Sequence, residues 1–304
     1  MSDAPASLNF ERNFAPHYGI AERLSPLVSR VVCSNPGPFT FTGTATYLIG
    51  GKSLAVIDPG PAEPRHLEAL LQAIGGRPVS HIFITHTHLD HSPLAALLKA
   101  QTGAKTVAFG LRDSGSAAAP QGVRLDTGRD PHFAPDITAG DGDTVETSEW
   151  RIGAVSTPGH TFDHMAYALL DEGALFPGDH VMAWSTSVVA PPDGNMGDYL
   201  RSLDKLLTRE DEIYWPTHGP PRKEPQALVR ALIAHRRMRE GAILARLKDG
   251  GKDVGSLVAA IYADVDPRLH AAAAQTTLAH LEHLIEQGKA VRERALSQDI
   301  YRLS

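Results

Sequence analysis

Apolar positions recur along the chain in two rhythms. Through residue 225, short apolar runs alternate with helical stripes. Leu54-Ala-Val-Ile57 runs apolar up to Asp58-Pro-Gly, which predicts a buried strand closed by a turn. His66 to Ile74 places Leu67, Leu70, Leu71 and Ile74 at helical spacing, and Gly75-Gly76 stops the helix. Val79–Thr85 is the next predicted strand. Pro93–Ala100 is the next helix, with Ser92 as its N-cap and Pro93 at its first position. Strands are also expected at Thr106–Phe109, Trp150–Ser156, His164–Leu170 and Ala174–Phe176, with Asp141-Gly142-Asp143 as a turn.

From residue 226 the rhythm becomes mostly helical. Gln226–Leu247, Val254–Tyr262 and Arg268–Gln287 are predicted helices, and Gly288 ends the last. Lys289–Arg294 and Asp299–Leu303 read as two short strands joined by Ala295-Leu-Ser-Gln298, and helices followed by a small hairpin resemble a winged-helix module. Prolines cluster in 216–226, so the expected division is a domain over 1–225 and a helical, winged-helix-like domain over 226–304. Charge follows the same division. The second part carries 12 Lys+Arg against 9 Asp+Glu, the first 17 against 26, within a net charge of −6. The small basic excess of the second part is read first as ordinary helix-surface charge.

Composition narrows the class. The chain has 304 residues, 42% of them hydrophobic and 21% charged, which suits a folded protein of about two domains. No run approaches the ~20 apolar residues of a membrane span. Residues 1–16 lack the basic start and apolar stretch of a secretory signal. The single cysteine, Cys33, excludes an internal disulfide and any Cys-cluster zinc site; it is expected in a buried strand of a cytoplasmic protein.

The candidate chemistry lies in His86-Thr-His88-Leu-Asp90-His91, directly after the strand His81-Ile-Phe-Ile-Thr85 and before the next helix. Four ligand-type side chains in six residues cannot share one face of a strand or helix, but a loop can aim them as two pairs. Three more candidates sit between turn residues: His160 after Pro158-Gly159, Asp179 after Gly178, and His218 between Thr217 and Gly219. Imidazole with carboxylate suits Zn²⁺, and also Fe or Mn. Seven ligands make two sites of about four each if Asp179 bridges and a hydroxide completes both. Other histidines, including His17, His66, His132, His270, His280 and His283, are read as surface or satisfied core residues.

This ligand set resembles the signature of the metallo-β-lactamase superfamily. The resemblance implies a mixed α/β (α+β) fold, a four-layer αβ/βα sandwich with metals at one edge. It implies that His86, His88 and His160 hold one metal, that Asp90, His91 and His218 hold another, and that Asp179 bridges. Asp58 matches a strand-end Asp that supports the ligands from behind. Asn35-Pro-Gly-Pro-Phe-Thr, Gly43–Gly50, Thr157–Met165, Gly178–Thr186, Ala190-Pro-Pro-Asp-Gly194, Met196-Gly-Asp-Tyr199 and Ala234-His-Arg-Arg237 are similar to the β-lactamase-like protein 2 group, including its C-terminal part. Two positions depart from that group: Ala45 stands where Asn is usual and is expected to alter the pocket rim, and His91 is followed by Ser92-Pro93 where Ser-Gly-Gly is usual.

The chemistry expected is hydrolysis. Two metals sharing a water lower its pKa from near 16 to roughly 7 and polarise a carbonyl or phosphoryl oxygen. Asp90 would both bind metal and orient the hydroxide, Asp179 would bridge, and Asp163 or His164 would protonate the leaving group, although His164 is read first as a core or supporting residue. No Gly-rich dinucleotide fingerprint or P-loop occurs, so no nucleotide cofactor is implied. A small thioester, lactone or other ester is the leading substrate class. It is favoured by the acidic first part and by an apolar pocket behind Met182, Trp184 and Met196, if those three are not simply core. Single-stranded RNA is the alternative, because members of the resembling group are endoribonucleases while fungal relatives are thioesterases. A third reading is a nucleic-acid-binding or vestigial metal-binding protein. The intact ligand set opposes a vestige, and Arg236, Arg237 and Arg239 lie too close together on one helix to form one nucleic-acid face. The C-terminal part is expected to cover the active site or to mediate a homodimer.

Overall fold

A computed structural model describes residues 8–109, 128–264, 266–295 and 298–304. Within them the chain builds two facing sheets flanked by helices. The first sheet runs in chain order: β1 (Glu22–Arg23), β2 (Val28–Val32), β3 (Ala45–Ile49), β4 (Leu54–Ile57), β5 (Val79–Phe83), β6 (Lys105–Ala108) and β7 (Ile137–Thr138). It is antiparallel through β4 and parallel from β4 to β7. The crossovers that parallel strands require are helices α1 (Pro64–Ile74) and α2 (Leu94–Thr102). The second sheet comprises β8 (Thr144–Glu146), β9 (Arg151–Ser156), β10 (Met165–Leu169), β11 (Ala174–Phe176), β12 (Ile213–Tyr214) and β13 (Arg222–Lys223), with α3 (Met196–Leu207) between β11 and β12.

Three apolar layers hold this unit together. Tyr47, Ile57, Phe83 and Val107 of the first sheet meet Ile152, Tyr167, Leu169 and Phe176 of the second between the sheets. The outer face of the first sheet packs on Leu70, Ile74, Leu94 and Leu98 of α1 and α2. The outer face of the second packs on Tyr199, Leu203 and Leu206 of α3 and on Leu228, Val229 and Leu232 of α4 (Gln226–Leu247). The order is therefore helix, sheet, sheet, helix, and burial on both faces explains why β4 is apolar throughout and why β3 is apolar save for the buried Thr46.

Helix α4 straddles the boundary expected at 225/226. Its first half belongs to the layered core, while Ile243 and Leu247 enter a smaller core with Leu257, Leu281, Leu284, Ala290 and Tyr301. That core is closed by α5 (Val254–Ile261), α6 (His270–Glu286) and the hairpin β14 (Ala290–Ala295) to β15 (Gln298–Leu303). The connection through Leu296 and Ser297 lies outside the described residues. No helix among the described residues is long and apolar enough to cross a membrane.

Ser92 does not cap α2. Pro93 takes the capping position with helical angles, and the Ser92 hydroxyl turns to Asp130 at 3.4 Å. The first free N–H groups are met by backbone instead: Leu94 donates to Gly60 O and Ala95 to Ser92 O. Strand β2, next to the expected position of Cys33, carries a charged residue within its apolar run. Arg30 is 4% exposed, pairs with Glu22 at 2.7 Å and lies 4.6 Å over the Phe14 ring. Cys33 is buried just past the end of β2, and burial pushes its thiol up to about 12.

Candidate metal centre

Ligand-type side chains converge where both sheets end on the same edge. β5 stops at Phe83, and the loop after Thr85 carries His86, His88, Asp90 and His91. The second sheet supplies His160 after β9, Asp179 after β11 and His218 after β12. Three groupings result, each with donor atoms within 4.8 Å of one another: His86 with His88 and His160, His86 with His91 and Asp179, and Asp90 with His91 and His218. All seven expected residues are thus brought together.

Two glycines make room. Gly159 has φ +134°, and a Cβ there would lie 2.3 Å from the Tyr199 backbone N and Cα. Gly178 has φ +54°, and its Cβ would meet His164 Nε2 at 2.6 Å.

Four of the five candidate imidazoles are hydrogen-bonded through the nitrogen that faces away from the cluster. His91 Nδ1 lies 2.8 Å from Asp58 Oδ2. His218 Nδ1 donates to Gly43 O at 3.1 Å, and His160 Nδ1 donates to Val188 O at 2.6 Å. Thr85 gives its only hydroxyl proton to Asp58 Oδ2 at 2.7 Å, so at 3.1 Å it accepts from His86 Nδ1. His88 turns Nε2 toward Asp193 Oδ2, 3.6 Å away. The inward nitrogens then crowd together: His86 Nε2 is 3.0 Å, and His160 Nε2 3.3 Å, from His88 Nδ1. Holding the outer nitrogen to set the tautomer is the arrangement found around metal-ligating histidines.

The electrostatics divide the cluster. Burial pushes His86 well below the ordinary imidazole range and His160 down to about 4, so both are neutral donors. Burial opposes the charged form of His218 too, but Asp179 and Asp90 outweigh it and raise its pKa to about 10. His91 is held well above its usual value by Asp90, Asp179 and Asp58 against the same burial penalty. Burial likewise opposes ionisation of Asp179, yet His218 and His91 hold it well below the carboxylate range. His91 Nε2, His218 Nε2 and Asp179 Oδ1 are buried without a hydrogen-bond partner. Unpartnered, convergent, oppositely charged donors of this kind fit a divalent cation.

His164 is not placed to protonate a leaving group. It is 1% exposed; Nδ1 donates to Thr157 Oγ1 at 2.8 Å and Nε2 accepts from the Asp179 backbone N–H at 3.3 Å. It fixes the turn carrying Asp179 instead. Asp163 Oδ2 accepts from Thr87 Oγ1 at 2.7 Å and lies 3.3 Å from Arg129 Nη2. Met182 and Met196 belong to the core, at 5% and 0% exposure. Trp184 is half-buried, stacks on Phe41 with ring centroids 4.7 Å apart, and covers Gly219 beside His218. Ala45 points into the core between the sheets rather than to the rim, and its N–H donates to Thr217 O at 2.8 Å.

Sequence reasoning missed Thr85, Thr217, Ser187 and Asp193. Thr85 and Thr217 each precede a candidate ligand directly, a signal available in the sequence. Thr217 Oγ1 donates to Asp58 Oδ2 at 3.1 Å. Nothing local marks Ser187, whose hydroxyl lies 3.2 Å from His160 Nδ1.

Comparison with known proteins agrees with this geometry. Residues 39–218 match the family model described as the metallo-beta-lactamase superfamily, and residues 254–298 match the beta-lactamase associated winged helix domain. A lactamase-like protein of Pestalotiopsis microspora is 31% identical over 75% of this chain, which spans 65% of that relative's length. A beta-lactamase-like protein 2 homolog of Drosophila melanogaster is 29% identical over 92% of this chain and 94% of its own. An atrochrysone carboxyl ACP thioesterase of Claviceps purpurea is 28% identical over 76% of this chain and 69% of its own. The crystal structure of a beta-lactamase domain protein from Burkholderia ambifaria has the same fold, with TM-score 0.80, 21% identity and 96% of each chain covered. The chain belongs to the metallo-β-lactamase superfamily, as a metal-dependent hydrolase with an appended winged-helix domain.

Proposed function

We propose that the edge cluster is a dinuclear site that hydrolyses a small acyl compound, a thioester or a lactone. In this reading His86, His88 and His160 hold one ion, Asp90, His91 and His218 hold the other, and Asp179 serves both. Divalent ions bound there acidify water and polarise the acyl oxygen; zinc suits the donors, as do iron and manganese. The chain's own part is positioning. Asp58, Thr85, Gly43 and Val188 fix the imidazoles. Asp90 is only half-buried and lies 3.2 Å from His218 Nε2; its carboxylate, kept ionised by His91 and His218, can accept a hydrogen bond from incoming water and orient it. The stacked Phe41–Trp184 pair beside His218 offers an apolar wall to an acyl group.

The observation that carries an acyl substrate over RNA is the inward turn of Arg236 and Arg239 on α4. Arg236 is 2% exposed and donates to Ser187 O, and Arg239 donates to Ile261 O and lies 4.5 Å over the Tyr262 ring. Both are spent on the protein and closed to a phosphate backbone, which needs exposed cations, and this leaves Arg230, Arg237 and Arg246 as the exposed arginines of the helix. On the hairpin, Arg302 is matched by Glu293 at 3.2 Å and Arg292 by Asp299 at 3.9 Å. The thioesterase relative agrees with the acyl reading.

The test is a hydrolysis panel on metal-loaded protein: a thioester, a lactone, a single-stranded RNA and a phosphodiester, with metal content measured on the same sample. Thioester or lactone turnover that falls to background in Asp179→Asn is the expected result. Selective RNA cleavage overturns the acyl reading, and full turnover with two bound metals in Asp179→Asn overturns the ligand set.

A further inference from the structure

Helix α4 reaches the candidate centre through one buried side chain. Arg236 Nη2 donates to Ser187 O, and its guanidinium lies 5.1 Å over the Tyr199 ring. Ser187 and the next residue, Val188, are the two that engage His160. Val188 O takes the Nδ1 proton at 2.6 Å, and Ser187 Oγ lies 3.2 Å from the same nitrogen. The segment between β11 and α3 that contains them is irregular, so no strand or helix fixes those carbonyls. Burying a guanidinium is costly, by several kcal/mol for an ion not compensated at its destination. A fully buried arginine whose donor ends on that loop is therefore a strut rather than surface charge.

The other side of the strut is anchored as well. One turn along α4, Glu240 lies 2.7 Å from His283 Nδ1 and 3.4 Å from His280 Nδ1, both on α6. Tyr199, beneath the guanidinium, donates its hydroxyl to His180 O at 3.1 Å, next to Asp179. A continuous set of contacts thus runs from the winged-helix unit through α4 to the outer nitrogen of one candidate ligand. The comparable supports of His91 and His218, Asp58 and Gly43, come from the first sheet and its loops and do not involve α4.

We propose that Arg236 is a positioning residue for His160, through which the C-terminal unit sets the affinity of the His86–His88–His160 metal site and leaves the Asp90–His91–His218 site alone. The proposal rests on the dinuclear reading above. Outer partners of a metal-bound imidazole are worth about 10–100-fold in metal affinity.

The experiment is stepwise cobalt(II) loading of the full-length apo protein. Ligand-field absorption and chelator competition are recorded for wild type, Arg236→Met, Arg236→Lys, Glu240→Gln and His160→Ala, with thermal unfolding of each apo form. Wild type should bind two equivalents. Arg236→Met should weaken one by about 10-fold or more and leave a spectrum like that of His160→Ala, with the other equivalent unchanged. Arg236→Lys keeps a donor for Ser187 O and should recover part of the loss. Glu240→Gln loosens α4 from α6 and should weaken the same equivalent, by less than Arg236→Met does; an affinity equal to wild type would detach the C-terminal unit from that site. Two unchanged equivalents in a folded Arg236→Met overturn the proposal. So does equal weakening of both sites together with a lowered apo unfolding temperature, the mark of a merely structural role. Fewer than two equivalents in wild type overturns the dinuclear reading itself, a result distinguishable from failure of the strut.

Discussion

Asp58 Oδ2 holds His91 Nδ1 at 2.8 Å, with both side chains fully buried. The same carboxylate takes the Thr85 backbone N–H at 2.8 Å, the Thr85 hydroxyl at 2.7 Å and the Thr217 hydroxyl at 3.1 Å. Three of these contacts converge on one oxygen, so an amide nitrogen in its place would face donors only. Asp58 also has φ 48°, a conformation asparagine tolerates, so Asp58→Asn tests the charge rather than the backbone. Metal affinity at the Asp90–His91–His218 site should fall about 10–100-fold, measured by chelator competition. An affinity within twofold of wild type would remove Asp58 from its supporting role.

Metal uptake should expel protons. In the metal-free protein His218, at about 10, and His91, well above its usual value, both carry protons at pH 7.5, while His86 and His160 do not. An ion can bind Nε2 only after those protons leave. Loading at pH 7.5 should release about two protons, and affinity should rise with pH until about pH 10. Calorimetry in buffers of different ionisation enthalpy measures the number directly. Release near zero would mean that His91 and His218 either do not bind the ion or are already neutral in the metal-free protein.

His66 gives the fold an acid-sensitive point away from the metal. It is 3% exposed, and its Nε2 donates to Thr46 Oγ1 at 2.9 Å, because the Thr46 hydroxyl proton is given to Asp58 O. Burial lowers its pKa from 6.5 to about 4. The unfolded chain therefore binds the proton first, and stability is lost as pH falls from about 6.5 to about 4, by roughly 3 kcal/mol in total. Above pH 6.5 the effect vanishes. Urea unfolding of chelator-treated protein from pH 4 to 7 should show a shallower acid limb for His66→Gln than for wild type. Parallel limbs would refute it.

Glycine substitutions should separate backbone strain from collision. Gly159→Ala drives a methyl into the Tyr199 backbone at 2.3 Å, whereas at Gly142, with φ +87°, a Cβ meets nothing within 4 Å. The first should cost more than about 3 kcal/mol and disturb His160, and the second about 1 kcal/mol. Comparable unfolding midpoints for the two variants would show that α3 shifts aside freely.

The sequence was most readable where local rules suffice. β4, β11, α1 and the long α4 follow from short apolar runs and helical stripes with glycine stops. The candidate ligands stand out because four crowd one loop and three sit beside turn residues. β3 was missed because Thr44, just before it, and Thr46 interrupt the apolar run, whereas the equally buried β4 is apolar without a break. α3 was missed although its stripe of Tyr199, Leu203 and Leu206 and its Asn195 cap, which accepts from Asp198 N at 2.8 Å, are local features. What no local rule supplies is the packing between distant segments. Asp193 behind His88, Ser187 beneath Arg236, and the commitment of both His164 nitrogens arise only when the two sheets close on each other.

The candidate donors are divided between the halves of the chain, four on the loop after β5 and three on turns of the second sheet. An ion held by both halves acts as a cross-link across that seam. Like any link closing a long loop, it narrows the unfolded ensemble and must be broken before the sheets can part. Ions bound only by the native state also add stability by mass action. Metal supply would then govern how long a molecule survives proteolysis as well as whether it turns over substrate. Starved of metal, the protein would be short-lived as well as inactive.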